Sequence, residues 1–360
     1  MTNVIVPRLH VSHSQSMLPT SSNSCRKNFP VTHAPAWVTV ICICYNHRKY
    51  VKQALQSVLQ QTYLHIELIV IDNGSSDDSD EQISSFIEQH PSVRFIKNTT
   101  NLGLNRAFNQ GLSTAKGSYI IDLSADDVLL PDRVAKQVAL FEQLPDFYGV
   151  VFSNACFINA AGKQTGTHYP VDSRGYTTVQ IPTGDVFGAV LASYFICTPT
   201  MLIRRSIFDR LGGYDEALSY EDFDFWVRSS RFCHYAYLDE VLTLKRELPD
   251  SLSSQILQRR NQLLPSTLIV CQKAFELCQT TGEFDALAGR LSTFIRKAFY
   301  TEQFALVHQF YRLLKKIRQP DKLTRWIVVL SYGHLPINYV YRLYHRYWRN
   351  PFGAFMVTDI

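Results

Sequence analysis

Apolar and polar positions along the chain follow two alternating periods. Val38–Cys44 (VTVICIC) is a short apolar run rich in β-branched residues, closed by Tyr45, Asn46 and His47, which predicts a buried strand ending in a loop. Val51, Ala54, Leu55, Val58 and Leu59 then recur at helical spacing. The alternation repeats: Ile66–Ile71 reads as a strand, Asp72–Asp80 as a polar turn and Glu81–Gln89 as a helix. Val93–Lys97, Asn105–Ala115 and Tyr119–Leu123 then read as strand, helix and strand. After Pro131 a helix at Arg133–Leu144 precedes a strand at Tyr148–Asn154, and the polar, turn-rich stretch 159–184 reads as a loop over a site. Strands alternating with helices over short connections predict an α/β fold, a Rossmann-like mostly parallel sheet with helices on both faces. Beyond Ser254 the pattern turns to long helices, Ile256–Gln279 and Phe284–Ile317. The expected division is a flexible extension over 1–35, rich in Ser, Thr, Asn, Pro and His, an α/β domain over 36–254 and a helical C-terminal appendage over 255–360.

In such sheets ligands gather at the carboxyl ends of strands. Asn46 follows the first strand, Asp72 and Asn73 the second, and Asp126 and Asp127 the fourth, so separate loops are expected to meet on one rim. Asp126-Asp127, between an apolar strand and Val128–Pro131, suits a hard divalent cation that keeps waters and binds substrate phosphates. A solvated turn would also account for the pair. Asp72-Asn73-Gly74 is a strong turn signal, and equally a place where a base or ribose can be hydrogen-bonded. In SYEDFDFWVR, Asp222 stands beside Phe225 and Trp226 on one helical face. Desolvation there raises a carboxylate toward general-base strength, while acids at a helix start also simply complement the dipole.

Composition narrows the class. The chain has 360 residues, of which 46% are hydrophobic and 19% charged, enough for a real core. Its eight cysteines form no C-x-x-C pair, and no signal-like or spanning apolar run is present, so a cytoplasmic protein is expected, soluble or peripheral on the inner face of a membrane. The net charge is +5, yet the stretch from Phe310 to Asn350 alone carries +8, interleaved with Trp326, Tyr332, Tyr339, Tyr341, Tyr344, Tyr347 and Trp348. Two readings stand for 310–350: contact with an anionic membrane surface, or a solvated helical face with its aromatic side buried. No nucleic-acid motif accompanies the charge, so no nucleic-acid partner is expected.

Taken in order, the segments resemble the family 2 glycosyltransferases of the GT-A fold, over about Trp37–Ser253. VTVICICYN resembles the family's opening strand and loop, IELIVIDNGSSDDS its nucleotide turn, NLGLNRAFNQGL a helix entry, ADD its metal motif and GGYDEALSYEDFDFWVR its acceptor-side segment. The resemblance implies a nucleoside-diphosphate sugar donor, a glycan or lipid-linked acceptor, and Mg²⁺ or Mn²⁺. It places Ile43, Tyr45, Asn46, Asp72, Asn73, Arg106 and Asp126 at the nucleotide. Asp127 would ligate the ion with Asp126 assisting, Asp222 would act as base in an inverting transfer, and Glu221, Trp226 and Arg228 would lie on the acceptor side. The chain departs from the family pattern at Ile43 and Cys44, at Asn73, at Ser124 and at Leu248, where a histidine is common. Lacking a Gln-x-x-Arg-Trp segment, it is expected to add single sugars. A catalytically degenerate binding module and a nucleotidyltransferase are the alternatives, though no glycine-rich phosphate loop favours the latter. The helical appendage is a candidate homodimer contact. No G-x-G-x-x-G follows a predicted strand, which argues against a dehydrogenase.

Overall fold

The computed structural model describes residues 35–249, 251, 256 and 258–344. The expected N-terminal extension up to Ala34, the boundary at 252–255 and the tail from His345, with Tyr347 and Trp348, lie outside the described residues.

The first half is built as the apolar periods predict: β1 (Val38–Cys44), α1 (Val51–Leu59), β2 (Ile66–Asn73), α2 (Ser79–Gln89), β3 (Arg94–Asn98), α3 (Leu104–Thr114) and β4 (Tyr119–Ser124). β1 pairs in parallel with β2 on one side and β4 on the other, and β3 extends the sheet beyond β2. Side chains alternate across it. Ile41, Ile43, Ile69 and Ile71 face one core, while Val40, Cys42, Leu68 and Val70 face the other, where α1, α2 and α4 (Arg133–Gln143) pack. Each fully buried Ile or Leu contributes about 1.5–3 kcal/mol, so a one-residue slip, which exchanges the two faces, is strongly disfavoured.

The second half departs from the expected parallel pattern. It contains β5 (Val128–Leu129), β6 (Tyr148–Ile158), β7 (Gln164–Thr167), α5 (Phe187–Ala192), β8 (Leu202–Arg204), α6 (Arg205–Leu211), α7 (Asp222–Ser229) and β9 (His234–Arg246). The sheet order is β3-β2-β1-β4-β8-β6-β9-β5, with β7 on β6. β4–β8, β8–β6, β6–β7 and β9–β5 are antiparallel, so the whole sheet is mixed. Gln164–Thr167 forms a hairpin arm inside the stretch read as loop, because Asn159 Oδ1 accepts from Ala161 N and Lys163 N and closes a tight turn.

The C-terminal helices are α8 (Leu263–Leu277), α9 (Thr281–Tyr300), α10 (Phe304–Ile317), α11 (Lys322–Ser331) and α12 (Asn338–Tyr344). Two expectations shift. The helix read from Ile256 begins at Leu263, because Asn261 Oδ1 accepts from the N–H groups of Leu263 and Leu264 while its amide donates to Ile256 O and Gln258 O, fixing the entry there. The helix read as Phe284–Ile317 is two, broken where Glu302 takes φ +58. Leu264, Leu268, Phe294, Phe310 and Ile327 of these helices share one buried cluster with Ile41, Phe108 and Phe225 of the sheet region.

Candidate active site

The register of the central strands sets the site. Cys44 lies opposite Asp72 and Ile43 opposite Ser124, so the loops after β1, β2 and β4 leave the sheet at one edge. The first two loops are clipped together. Asn46, at φ +59, accepts at Oδ1 from Ser76 N (2.8 Å) and donates its N–H to Ser75 Oγ (3.0 Å). His47 N donates to Ser79 Oγ and Arg48 N to Asp77 Oδ2, both at 3.0 Å. Asparagine tolerates this left-handed backbone better than most residues, so Asn46 secures the rim as well as lining it. Tyr45 beside it is exposed, and Ile43 is buried with its carbonyl accepting from Ala125 N (3.0 Å).

The two polar residues that end β2 differ. Asp72 is buried, its Oδ2 has a long contact from Ser75 N (3.4 Å), and its Oδ1 has no hydrogen-bond partner. Such an oxygen costs about 1–3 kcal/mol if left unpaired, so it is ready to accept from a ligand N–H or hydroxyl. Asn73, expected at the nucleotide, is instead a latch. Its amide donates to Asn101 Oδ1 and Gly103 O, and its Oδ1 accepts from Asn98 Nδ2 and Leu102 N. The side chain spends its donors and acceptors within the protein because the Asn101–Gly103 loop folds over it. Arg106 lies exposed on α3, its Nε 4.0 Å from Glu216 Oε2.

Asp126 and Asp127 sit at the end of β4 in a turn closed by Asp127 N donating to Ser124 O (3.0 Å). Ser124 Oγ donates to Asp126 Oδ1, and His47 Nδ1, buried without a hydrogen-bond partner, lies 3.9 Å from the same oxygen. Asp127 Oδ1 accepts from Arg246 N (2.8 Å). The Arg246 guanidinium donates to Asp126 O (2.9 Å), Asn159 O (3.0 Å) and Gln53 Oε1 (2.9 Å), and lies 4.4 Å over the Tyr50 ring. Burial and then the Asp126 charge push the Asp127 carboxyl up to about 8. A divalent ion reverses that shift by supplying the opposite charge. Among the described residues no group of three or more His, Cys, Asp and Glu stands ready to cage a metal. The adjacent carboxylates of Asp126 and Asp127 are hard oxygen donors of the kind Mg²⁺ or Mn²⁺ takes when water and phosphate complete its shell.

Asp222 opens α7. Its Oδ1 accepts from Phe223 N (2.6 Å) and its Oδ2 from Thr198 Oγ1 (3.4 Å). Burial raises the Asp222 carboxyl, and burial followed by the Asp222 charge holds that of its neighbour Glu221 well above the ordinary range. Two residues expected on the acceptor side are structural. Trp226 is buried in the core with its indole N–H on Met201 Sδ (3.4 Å), because α7 is buried nearly all round from Phe223 to Val227. Arg228 is tied to Asp224 (2.6 Å), Leu211 O (3.1 Å) and Gly213 O (3.2 Å), which holds α7 against the end of α6.

Three residues escaped sequence reasoning. Lys245 lies on β9 next to Arg246, where the Cys197 thiol and the Asp127, Asp222 and Glu247 carboxylates act on its charge. Burial pulls its pKa down, and these neighbours more than offset the pull. Asp122 on β4 accepts from the Tyr214 hydroxyl (3.2 Å), and burial pushes its carboxyl up to about 7. Arg246 is the third. The available signal was charge inside otherwise apolar strands, YIIDLS and VLTLKR.

The mixed sheet, with an unpaired buried Asp and an Asp pair at its carboxyl edge and a buried acid at the start of α7, is an arrangement of the GT-A type. Residues 39–212, just under half of the chain, match the model described as Glycosyl transferase family 2, a likeness that supports a transferase enzyme. A protein named as an uncharacterized glycosyltransferase of Methanocaldococcus jannaschii is 28% identical over 215 residues, 59% of this chain and 71% of that one. The fold is shared with TarS of Staphylococcus aureus, solved in complex with UDP, at a TM-score of 0.60 and 16% identity, covering 85% of this chain and 91% of that one. It is shared too with the mannosyltransferase PcManGT of Pyrobaculum calidifontis, in complex with GDP-Man and Mn²⁺, at a TM-score of 0.53 and 15% identity, covering 89% and 92%.

Proposed function

We propose that the protein transfers a single sugar, with inversion, from a nucleoside-diphosphate sugar to a hydroxyl of a glycan or lipid-linked acceptor. The observation that carries this reading is the placement, at the ends of the two strands that flank β1, of the partnerless buried Asp72 Oδ1 and the Asp126-Asp127 turn. Asp72 accepts from the base or ribose, with Tyr45 and the Asn46 loop beside it. Asp127, helped by Asp126, would hold Mg²⁺ or Mn²⁺, which would supply Lewis acidity to the diphosphate when bound. Asp222, held by Phe223 N and Thr198, takes the proton of the acceptor hydroxyl as that oxygen bonds the anomeric carbon and the bond to phosphate breaks on the opposite side. Its desolvation brings the carboxylate closer to the basicity such a step needs. UDP on TarS, and GDP-Man with Mn²⁺ on PcManGT, support the donor class and the ion. The departure at Asn73 does not count against activity, because that side chain serves the loop rather than the cleft.

The test is a thermal-shift screen of uridine, thymidine, guanosine and cytidine diphosphates with and without Mn²⁺, on wild type and Asp127→Ala. Stabilisation by one nucleotide that needs both the ion and Asp127 is expected. No metal-dependent shift with any of the four would sink the reading. Asp222→Asn is expected to keep the shift and lose transfer by at least about a hundredfold.

A further inference from the structure

The stretch 310–350 admitted two readings that differ in where its aromatic rings point. α11 docks through Thr324, Ile327, Val328 and Ser331, and α12 through Asn338, whose N–H donates to Glu302 Oε1 and whose amide donates to Tyr300 O, with Tyr341 stacked on Tyr300 at 4.5 Å. The other faces of both helices are apolar and open. Trp326 is 66% exposed, Tyr332 71% and Tyr339 73%, and Leu323, Val329 and Val340 are each more than half exposed. Of the eighteen large apolar or aromatic side chains exposed among the described residues, ten fall between Leu323 and Tyr344. Over the described residues, a solvated face with its aromatic side buried is therefore not what forms.

Charge selects the occupant. From Lys322 to Tyr344 there is no acidic residue, while Lys322, Arg325 and Arg342 are exposed on the same two helices and Lys315 and Lys316 end α10 just before them. On α11, Lys322, Arg325, Trp326, Val329 and Leu330 recur at three- and four-residue spacing along one side. Tyr and Trp rings favour the boundary between acyl chains and headgroups, and cations favour anionic headgroups. No helix of the described residues is long and apolar enough to cross a membrane. We propose that the outward face of α11, the turn after it and α12 binds an anionic lipid surface, lying in its interface. Contact with a second copy of this chain is the competing outcome, disfavoured because two such faces bring like charges together.

The test is co-sedimentation of the full chain with vesicles of phosphatidylcholine alone and of phosphatidylcholine with an equal part of phosphatidylglycerol. Binding is expected to the anionic vesicles, to weaken with added salt, and to be much poorer to the neutral ones. Removing one cation is worth about fivefold in partitioning, so Lys322→Glu with Arg325→Glu should lower it by at least about 25-fold. Trp326→Ala with Leu330→Ala should also release the protein, and Tyr339→Ala with Val340→Ala repeats the test on the other helix. All these positions are solvent-exposed, so thermal midpoints should match wild type. Wild type ignoring anionic vesicles, or binding that survives all three double variants, overturns the proposal. So does a wild-type dimer that Trp326→Ala with Leu330→Ala converts to monomer without any vesicle binding. Turnover is not read, so failure here leaves the donor-site proposal standing, and the reverse holds.

Discussion

Replacing Arg246 by methionine isolates what holds the Asp126-Asp127 turn in place. The side chain is 4% exposed, and its guanidinium serves Asp126 O, Asn159 O and Gln53 Oε1 while lying over Tyr50. Gln53 is exposed and regains a partner from water. Asp126 O loses a charged donor in a closed region, at about 1–3 kcal/mol, Asn159 O keeps the N–H of Gly162 and loses less, and the ring contact adds about 0.5–1 kcal/mol. Methionine keeps most of the apolar stem, so the expected loss is about 3 kcal/mol, read as a lower urea midpoint at unchanged slope. The N–H that Asp127 Oδ1 accepts belongs to the backbone and survives, so the turn loosens rather than disappears. Metal-dependent nucleotide affinity, measured by calorimetry, should fall about tenfold, whereas Asp127→Ala should abolish it. Arg246→Lys should recover less than half of either loss, since one ammonium cannot span three acceptors as the planar fork does. An Arg246→Met protein with wild-type midpoint and wild-type affinity would refute the reasoning.

Other expectations follow from the same geometry. Lys245→Met removes the cation among Asp127, Asp222 and Glu247, and should weaken binding of the nucleoside diphosphate found in the screen by about tenfold while leaving the monophosphate unchanged. Equal losses for both nucleotides would show that Lys245 acts on folding instead. His168 Nε2 lies 2.8 Å from Phe195 O, and burial holds the ring down to about 4 against 6.5 ordinarily. A depressed base is protonated first in the unfolded chain, so stability present above about pH 6.5 is lost as the pH falls toward about 4, by up to about 3 kcal/mol; a His168→Gln chain should show a shallower slope over that window in urea titrations. Thr280→Ala breaks the capping box with Glu283 at the start of α9 and should cost about 1 kcal/mol by thermal unfolding.

The alternation of apolar and polar residues was enough to place β1 to β4 and α1 to α4 nearly to the residue, because a buried strand and a helix with one apolar side impose different periods on the chain. It also put Asn46, Asp72, Asp126 and Asp127 on one rim, since strand ends in a parallel sheet share an edge. Local pattern did not say which polar atoms were already spent. Asn73 reads like a ligand contact and is a latch, because the loop that engages it lies 28 residues further on. Trp226 and Arg228 read as acceptor-side residues and serve the core and α6, because how far α7 is enclosed depends on the elements that pack around it. Lys245 and Arg246 meet the Asp pair only through the return of β9 to the sheet, and the register of that distant strand is a property of the assembled core. The tail shows the same limit: its composition allowed a buried or an open aromatic side, and the docking of α11 and α12 left the rings outside.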